Sequence, residues 1–229
     1  MAAHSRLHTL LTIRQTGLVP LFYNPDLAAA RSIVKACVDG GAVVVEFTNR
    51  ADRAIEVFRE LAELRDKELK SLVLGVGSVC DPATASMFIN AGADFLVSPF
   101  LDEDIARVCN ARKIPYLPGC GSLTEIHRAH LLGVEICKIF PADCVGGPAF
   151  VKAIKGPCPW ADLMPTGGVA PTMESLSGWF QAGVACVGMG SNLISQDLVQ
   201  KRDYAVLAER VRRALGLIRQ IRGGQGVVS

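Results

Sequence analysis

Leu132-Gly133-Val134-Glu135-Ile136-Cys137-Lys138-Ile139-Phe140-Pro141 is the stretch on which the fold turns. It opens with an apolar residue, a glycine, a valine and a strand-like run. The same pattern, with a small or apolar residue first and alanine or valine third, recurs three more times. The other copies are Gly40-Gly41-Ala42-Val43-Val44-Val45, Ala91-Gly92-Ala93-Asp94-Phe95-Leu96 and Ala182-Gly183-Val184-Ala185-Cys186-Val187. Gly41, Gly92, Gly133 and Gly183 are 51, 41 and 50 residues apart. Each follows a helix-like stretch, where glycine ends a helix in the left-handed conformation. The spacing is that of two βα units per repeat.

Further short apolar runs lie between the repeats, at Leu18–Phe22, 72–75, 114–117 and Asp162–Pro165. Together these make eight strands. The segments between them read as helices at about 26–40, 51–66, 82–91, 102–112, 122–132, 147–155, 171–182 and 203–222. Asn24-Pro25-Asp26, Asp81-Pro82 and Asp102-Glu103-Asp104 supply caps and first-turn acids. Alternating strands and helices imply parallel pairing with right-handed crossovers. Eight units predict an α/β chain closed into a (β/α)8 TIM barrel, with an open doubly wound sheet as the alternative. An extra helix at about 4–16 is expected to cap the barrel floor. No linker divides the chain, so residues 1–229 are expected to form one barrel domain, with 223–229 a disordered tail.

Half of the 229 residues are apolar and 20% are charged, which suits a large core. With 24 Lys and Arg against 22 Asp and Glu, there is no basic stripe for nucleic acid. No apolar run approaches the roughly 18 residues that span a bilayer. The start, Met1-Ala2-Ala3-His4-Ser5-Arg6, lacks a secretory apolar region, so a cytoplasmic location is expected. None of the eight cysteines forms a C-x-x-C pair, and reduced core thiols are expected. His127 and His130 lie three apart on a helix with no further ligand beside them, which favours a surface face over a metal site.

Lys138 departs from its surroundings. In a strand, Val134, Ile136, Lys138 and Phe140 share a face. An ammonium there costs several kcal/mol unless it is paired or loses its proton. A neutral lysine amine is a nucleophile toward a carbonyl carbon. The plainer reading is a lysine whose head group snorkels to water. On the second strand, Val44, Glu46 and Thr48 share a face by the same period. A carboxylate among valines needs a partner, and Lys138 across the barrel is the candidate. A structural Glu–Lys pair is the alternative, but buried pairs stabilise poorly. Both residues together favour catalysis.

Barrel active sites gather at the C-terminal ends of the strands. There the chain carries Gly75-Val76-Gly77-Ser78, whose glycines let a ligand approach the backbone. It also carries Ser98-Pro99 and Pro118-Gly119. Thr166-Gly167-Gly168 and Gly188-Met189-Gly190-Ser191 follow the seventh and eighth strands. Two glycine-rich loops there, with a short helix expected at about 191–195, suit a phosphate cradle built from backbone amides and a helix N-terminus.

Glu46-Phe47-Thr48-Asn49-Arg50, Gly75-Val76-Gly77-Ser78-Val79, Ser98-Pro99, Pro118-Gly119, Cys137-Lys138-Ile139-Phe140-Pro141-Ala142 and Pro165-Thr166-Gly167-Gly168-Val169 together resemble the motif series of the class I 2-keto-3-deoxy-6-phosphogluconate (KDPG) and 4-hydroxy-2-oxoglutarate (KHG) aldolases. The resemblance runs in unbroken order from about Leu18 to about Ile194. It implies Lys138 as the Schiff-base lysine and Glu46 as the general acid/base. Arg50, Ser78 and the backbone at Gly77 would hold the pyruvate carboxylate, beside Thr48. Pro99 and Phe140 would wall the pyruvyl group. Thr166, Gly167, Gly168, Gly190 and Ser191 would take the phosphate end. It further implies a lyase without metal or cofactor, acting on a 2-keto acid and assembled as a homotrimer. Ser78 stands where many members carry threonine. Phe100 and Cys120-Gly121-Ser122 also depart from the usual pattern and are candidates for reshaping the aldehyde side of the pocket.

The implied reaction is retro-aldol cleavage to pyruvate and an aldehyde. The aldehyde is glyceraldehyde 3-phosphate from the phosphorylated six-carbon acid, or glyoxylate from 4-hydroxy-2-oxoglutarate. Two other readings stay open. One is a phosphate-binding barrel that isomerises or decarboxylates a sugar phosphate, although no clear pair of inward acids stands at successive strand ends. The other is a non-catalytic oligomeric scaffold, against which the intact Glu46, Arg50 and Lys138 argue.

Overall fold

The four repeated glycines adopt positive φ, at 94° for Gly41, 101° for Gly92, 78° for Gly133 and 97° for Gly183. Each sits where a helix hands over to a strand, a backbone state that only glycine adopts without strain. The computed structural model describes residues 2–223. The first half runs α1 (Arg6–Thr16), β1 (Leu18–Phe22), α2 (Leu27–Asp39), β2 (Val44–Thr48), α3 (Ala54–Glu68), β3 (Val73–Gly77), α4 (Pro82–Asn90) and β4 (Leu96–Val97). The second half runs α5 (Glu103–Arg112), β5 (Tyr116–Leu117), β6 (Gly119–Cys120), α6 (Leu123–Leu131), β7 (Ile136–Ile139), α7 (Gly147–Lys155), β8 (Asp162–Pro165), α8 (Met173–Gln181), β9 (Val187–Met189), α9 (Gln196–Gln200) and α10 (Tyr204–Gly223). Asp26, Asp81 and Asp102 cap α2, α4 and α5 as expected, accepting from Ala29, Thr84 and Ile105 N–H groups. Gly223 closes α10 rather than opening a tail, and the rest of the expected tail lies outside the described residues.

All strand pairs are parallel. Six strands pair in the order β5-β4-β3-β2-β1-β9 and three in the order β6-β7-β8. The two sets join into one ring. β5 and β6 are a single strand interrupted at Pro118, which has no N–H to give. Leu117 accepts from Ser98 N, Gly119 N donates to Ser98, and the Pro118 carbonyl accepts from Lys138 N at 2.9 Å. On the other side, a Thr166–Gly188 bridge and an Ala185 N–H donated to Leu163 join β8 to β9. This is the predicted (β/α)8 barrel, with its fifth strand split in two.

Alternation along the strands separates two cores. Val19, Val44, Val73, Leu117, Ile136 and Met164 point inward and pack together inside the ring. Ile13 of α1 joins this interior cluster fully buried, so α1 lies across the N-terminal end of the barrel. Outward residues such as Val45, Leu74 and Cys137 meet the helices in a larger core. One buried ion pair anchors the floor. Asp94 accepts from Arg65 Nη1 at 2.9 Å, from Leu74 N at 2.9 Å and from the Ala3 and His4 N–H groups. Both charged side chains are essentially inaccessible, and this set of partners satisfies them.

Candidate active site

Two residues up each strand from the inward apolar layer come the polar ones. Val44 is followed by Glu46 and Thr48, Ile136 by Lys138 and Phe140, and Met164 by Thr166, all at the C-terminal end of the ring. Glu46, Thr48, Lys138 and Thr166 are all buried. Register sets their neighbours: Glu46 beside Gly75, Thr48 beside Gly77, and Lys138 between Gly119 and Met164. The glycines make room. A Cβ on Gly77 would stand 1.7 Å from Glu46 Oε1, and one on Gly119 would stand 2.1 Å from the Pro99 carbonyl oxygen. Pro99, two residues beyond the inward Val97, thus packs beside the strand that pairs with Lys138.

Lys138 lies inside the barrel, 6% exposed, with Nζ 4.5 Å from the centre of the Phe140 ring. Burial pulls its amine below the ordinary lysine range; the Glu46 charge opposes this and the Arg50 charge adds to it. Burial likewise pushes the Glu46 carboxyl up, against the opposing charges of Lys138 and Arg50. No ion pair within 4.0 Å joins the two groups among the described residues. Among the described residues, Glu46 Oε2 has no hydrogen-bond partner. The two side chains therefore share one interior and feel each other's charge without neutralising each other. A buried, unpaired carboxyl is expensive, and a site that must later hold a proton or a ligand is where such an expense persists.

Above them lies a cavity of about 600 Å³. Its walls carry eight of the expected residues: Thr48, Arg50, Phe140, Thr166, Gly167, Gly168, Gly190 and Ser191. Lys138 and Glu46 lie one layer deeper, directly below Phe140 and Thr48 on the same strand faces. Gly77, Ser78 and Pro99 stand on the β3–β4 side and do not line this cavity. Ser78 is half-buried and holds φ at 60°, a left-handed state uncommon for serine. Thr48 donates to the Phe22 carbonyl at 3.2 Å, while Thr166 Oγ1 is buried with no partner among the described residues.

One expectation needs correction. Residues 191–195 are a turn rather than a helix. Leu193 N and Ile194 N both donate to the Gly190 carbonyl, and the helix α9 starts only after the extended Ser195. The Gly190-Ser191 loop thus offers backbone amides but no helix N-terminus of its own. Cys120 does not reach the pocket, because Gly119 takes the inward position and Cys120 is buried among the helices. Phe100 is 45% exposed and does not line the cavity. His127 and His130 lie on α6, and no group of three potential metal ligands occurs among the described residues.

Several lining residues escaped the sequence reading. Leu21 continues the inward period of β1 from Val19, a signal that was available, whereas Tyr23 lies just past the strand with its ring 5.8 Å from that of the outward Phe47. Asn24, Asn192, Gln196 and Gln200 come from loops and α9, whose approach to the cavity no periodicity encodes.

Fold and site together define a barrel enzyme with a buried amine and carboxyl at the strand ends. Residues 11–210 match the family model of the KDPG and KHG aldolases. The 2-dehydro-3-deoxy-phosphogluconate aldolase of Pseudomonas aeruginosa is 32% identical over 212 residues, 92% of each chain. The KHG/KDPG aldolase of Escherichia coli is 32% identical, over 89% of this chain and 93% of its own. A solved KDPG aldolase from Legionella pneumophila, holding pyruvate as a covalent carbinolamine, superposes with a TM-score of 0.82 at 26% identity, over 90% of this chain and 97% of that one. The chain belongs to the KDPG and KHG aldolase family.

Proposed function

We propose that this aldolase cleaves a 2-keto-3-deoxy-6-phospho sugar acid, 4-hydroxy-2-oxoglutarate or both, with Lys138 as the nucleophile and Glu46 as the proton shuttle. The observation that carries this reading is the buried Lys138 amine facing the same interior as an unpartnered Glu46 carboxyl. Burial biases the pair toward a neutral amine and a neutral acid. Those are the forms needed to attack a ketone and to protonate the departing hydroxyl. Nζ adds to C2 of the keto acid, and loss of water leaves a protonated imine. The C4 hydroxyl gives up its proton, the C3–C4 bond breaks, and its electrons pass into the imine. The enamine of pyruvate and an aldehyde result. Protonation at C3 and addition of water then release pyruvate and restore the amine.

Arg50 clamps the carboxylate with two parallel hydrogen bonds, a geometry that lysine does not copy. Thr48 stands beside it, and Ser78 and the Gly77 backbone complete that end. Phe140 and Pro99 wall the pyruvyl group. Thr166, Gly167, Gly168, Gly190 and Ser191 receive the far anion. The covalent pyruvate in the Legionella pneumophila relative supports the lysine chemistry. We further propose one catalytic barrel domain, assembled as a homotrimer in the cytoplasm. Eight unpaired cysteines support a reducing compartment, and no helix among the described residues is long and apolar enough to cross a membrane.

The test is turnover coupled to lactate dehydrogenase, run on both substrates. Pyruvate release from at least one is expected. Release from neither, with a folded protein, overturns the proposal.

A further inference from the structure

We propose that Asn192 is a positioning residue that fixes the shape of the anion cradle and so sets how strongly this enzyme prefers a phosphorylated substrate. The inference rests on the function proposed above.

Among the described residues lining the cavity, Arg50 is the one charged side chain. It stands at the end of β2. The glycine loops follow β8 and β9, with β1 between them and β2 in the ring. No ammonium or guanidinium lines the cavity at that end. A dianion there must be held by dipolar donors alone: backbone N–H groups, the Thr166 and Ser191 hydroxyls and the side-chain amides of Asn24, Gln196 and Gln200. Dipolar donors of this kind work only when they are aimed in advance. A point charge tolerates displacement, but a fan of amides does not.

The loops that carry these amides are intrinsically loose. Gly167 and Gly168 hold φ at 96° and 70°, and glycine loses more conformational freedom on ordering than any other residue. At their base, Thr166 and Gly188 bridge the two strands. Beyond that bridge, one side-chain hydrogen bond joins the two loops among the described residues: Asn192 Nδ2 donates to the Val169 carbonyl at 2.9 Å. A carbonyl only accepts, so the amide nitrogen must be the atom facing it. On its own side, Asn192 belongs to the tight turn in which Leu193 N and Ile194 N both donate to Gly190. The clamp therefore couples Gly190-Ser191 to Gly167-Gly168 across the mouth of the cavity. A substrate whose far end is phosphate uses both loops; one that ends at a carboxylate near C5 depends on them less.

Steady-state kinetics test this with Asn192→Ala, the similarly sized but donor-free Asn192→Leu, and the donor-retaining Asn192→Gln. Each is assayed on the phosphorylated six-carbon acid and on 4-hydroxy-2-oxoglutarate. Ala and Leu should raise KM for the phosphorylated acid about tenfold, the scale of one lost hydrogen bond, with a smaller change in kcat. The ratio of the two KM values should shift by a similar factor, and Gln should recover part of it. An unmoved ratio in both Ala and Leu, or an equal loss of kcat on both substrates, overturns the inference. So does a wild-type enzyme that traps pyruvate on Lys138 yet leaves the phosphorylated acid uncleaved. A wild-type enzyme that traps no pyruvate at all instead overturns the aldolase reading itself.

Discussion

Lys138 and Glu46 were legible as residues because each breaks a rule: a charge placed by period two on an otherwise apolar strand face. The structure keeps them in one interior without an ion pair, and their opposing influences give a signed expectation. A lowered lysine value means that the rate of imine formation with pyruvate should climb with pH below the ordinary lysine range. Where Glu46 is ionised its charge raises that value, so Glu46→Gln should move the climb to lower pH in that range while leaving imine formation partly intact. The Arg50 charge lowers it, so Arg50→Leu should move the climb to higher pH, beyond its effect on pyruvate affinity. Stopped-flow pH profiles check both; two shifts of the same sign would contradict the arrangement. Gly77 adds a steric expectation. Its Cβ would stand 1.7 Å from Glu46 Oε1, so Gly77→Ala must push the carboxyl aside. We expect kcat to fall by at least about tenfold, with a stability loss of about 1–3 kcal/mol by urea unfolding. Leu21 and Asn192 mark the limit of the sequence reading: the first continued a visible period, while the second reaches the cavity through a loop whose path no pattern records.

At the scale of elements, the helices fell close to their expected places because caps and handover glycines mark their ends. The errors lie where strand and loop chemistry compete. Pro118 splits the fifth strand, and residues 191–195 stop at a single turn. The β4–α5 loop shows what the sequence concealed. Ser98 Oγ lies 2.6 Å from the Tyr116 hydroxyl, which donates to the Phe100 carbonyl and accepts from Asp102 N. This buried hub holds the loop that starts at Pro99, and the Pro99 carbonyl rests on Gly119 beside Lys138. Nothing in a lone tyrosine on a short strand announces that role. Tyr116→Phe keeps the ring and removes only the hydroxyl. It should leave Asp102 N–H without that partner, raise KM for pyruvate about three- to tenfold in the aldol direction, and cost about 1–2 kcal/mol in stability. Unchanged kinetics with lowered stability would make the hub structural alone.

At the scale of the molecule, ring closure followed from counting units, since eight parallel βα repeats have few other ways to cover their edges. The floor was less legible. Arginine usually reads as solvated, yet Arg65 lies four residues after Leu61 on the buried stripe of α3 and meets Asp94 there. The same aspartate ties the Ala3 and His4 amides across the barrel floor. Asp94→Ala leaves a buried guanidinium without its carboxylate and should cost about 3–5 kcal/mol by urea unfolding. Turnover per folded molecule should stay near wild type, because the floor lies at the end of the barrel opposite the cavity. A loss of turnover without a loss of stability would contradict that division between floor and site.

The most direct test is borohydride trapping of the protein with pyruvate, with the adduct located by peptide mass spectrometry. Nζ of Lys138 should carry the reduced pyruvyl group, and Lys138→Ala should trap none and lose nearly all turnover. Lys152 is exposed on α7, and Lys155 is half-buried with its amine donating to the Pro159 carbonyl. An adduct on either of them, or none on a folded wild-type protein, would contradict the account.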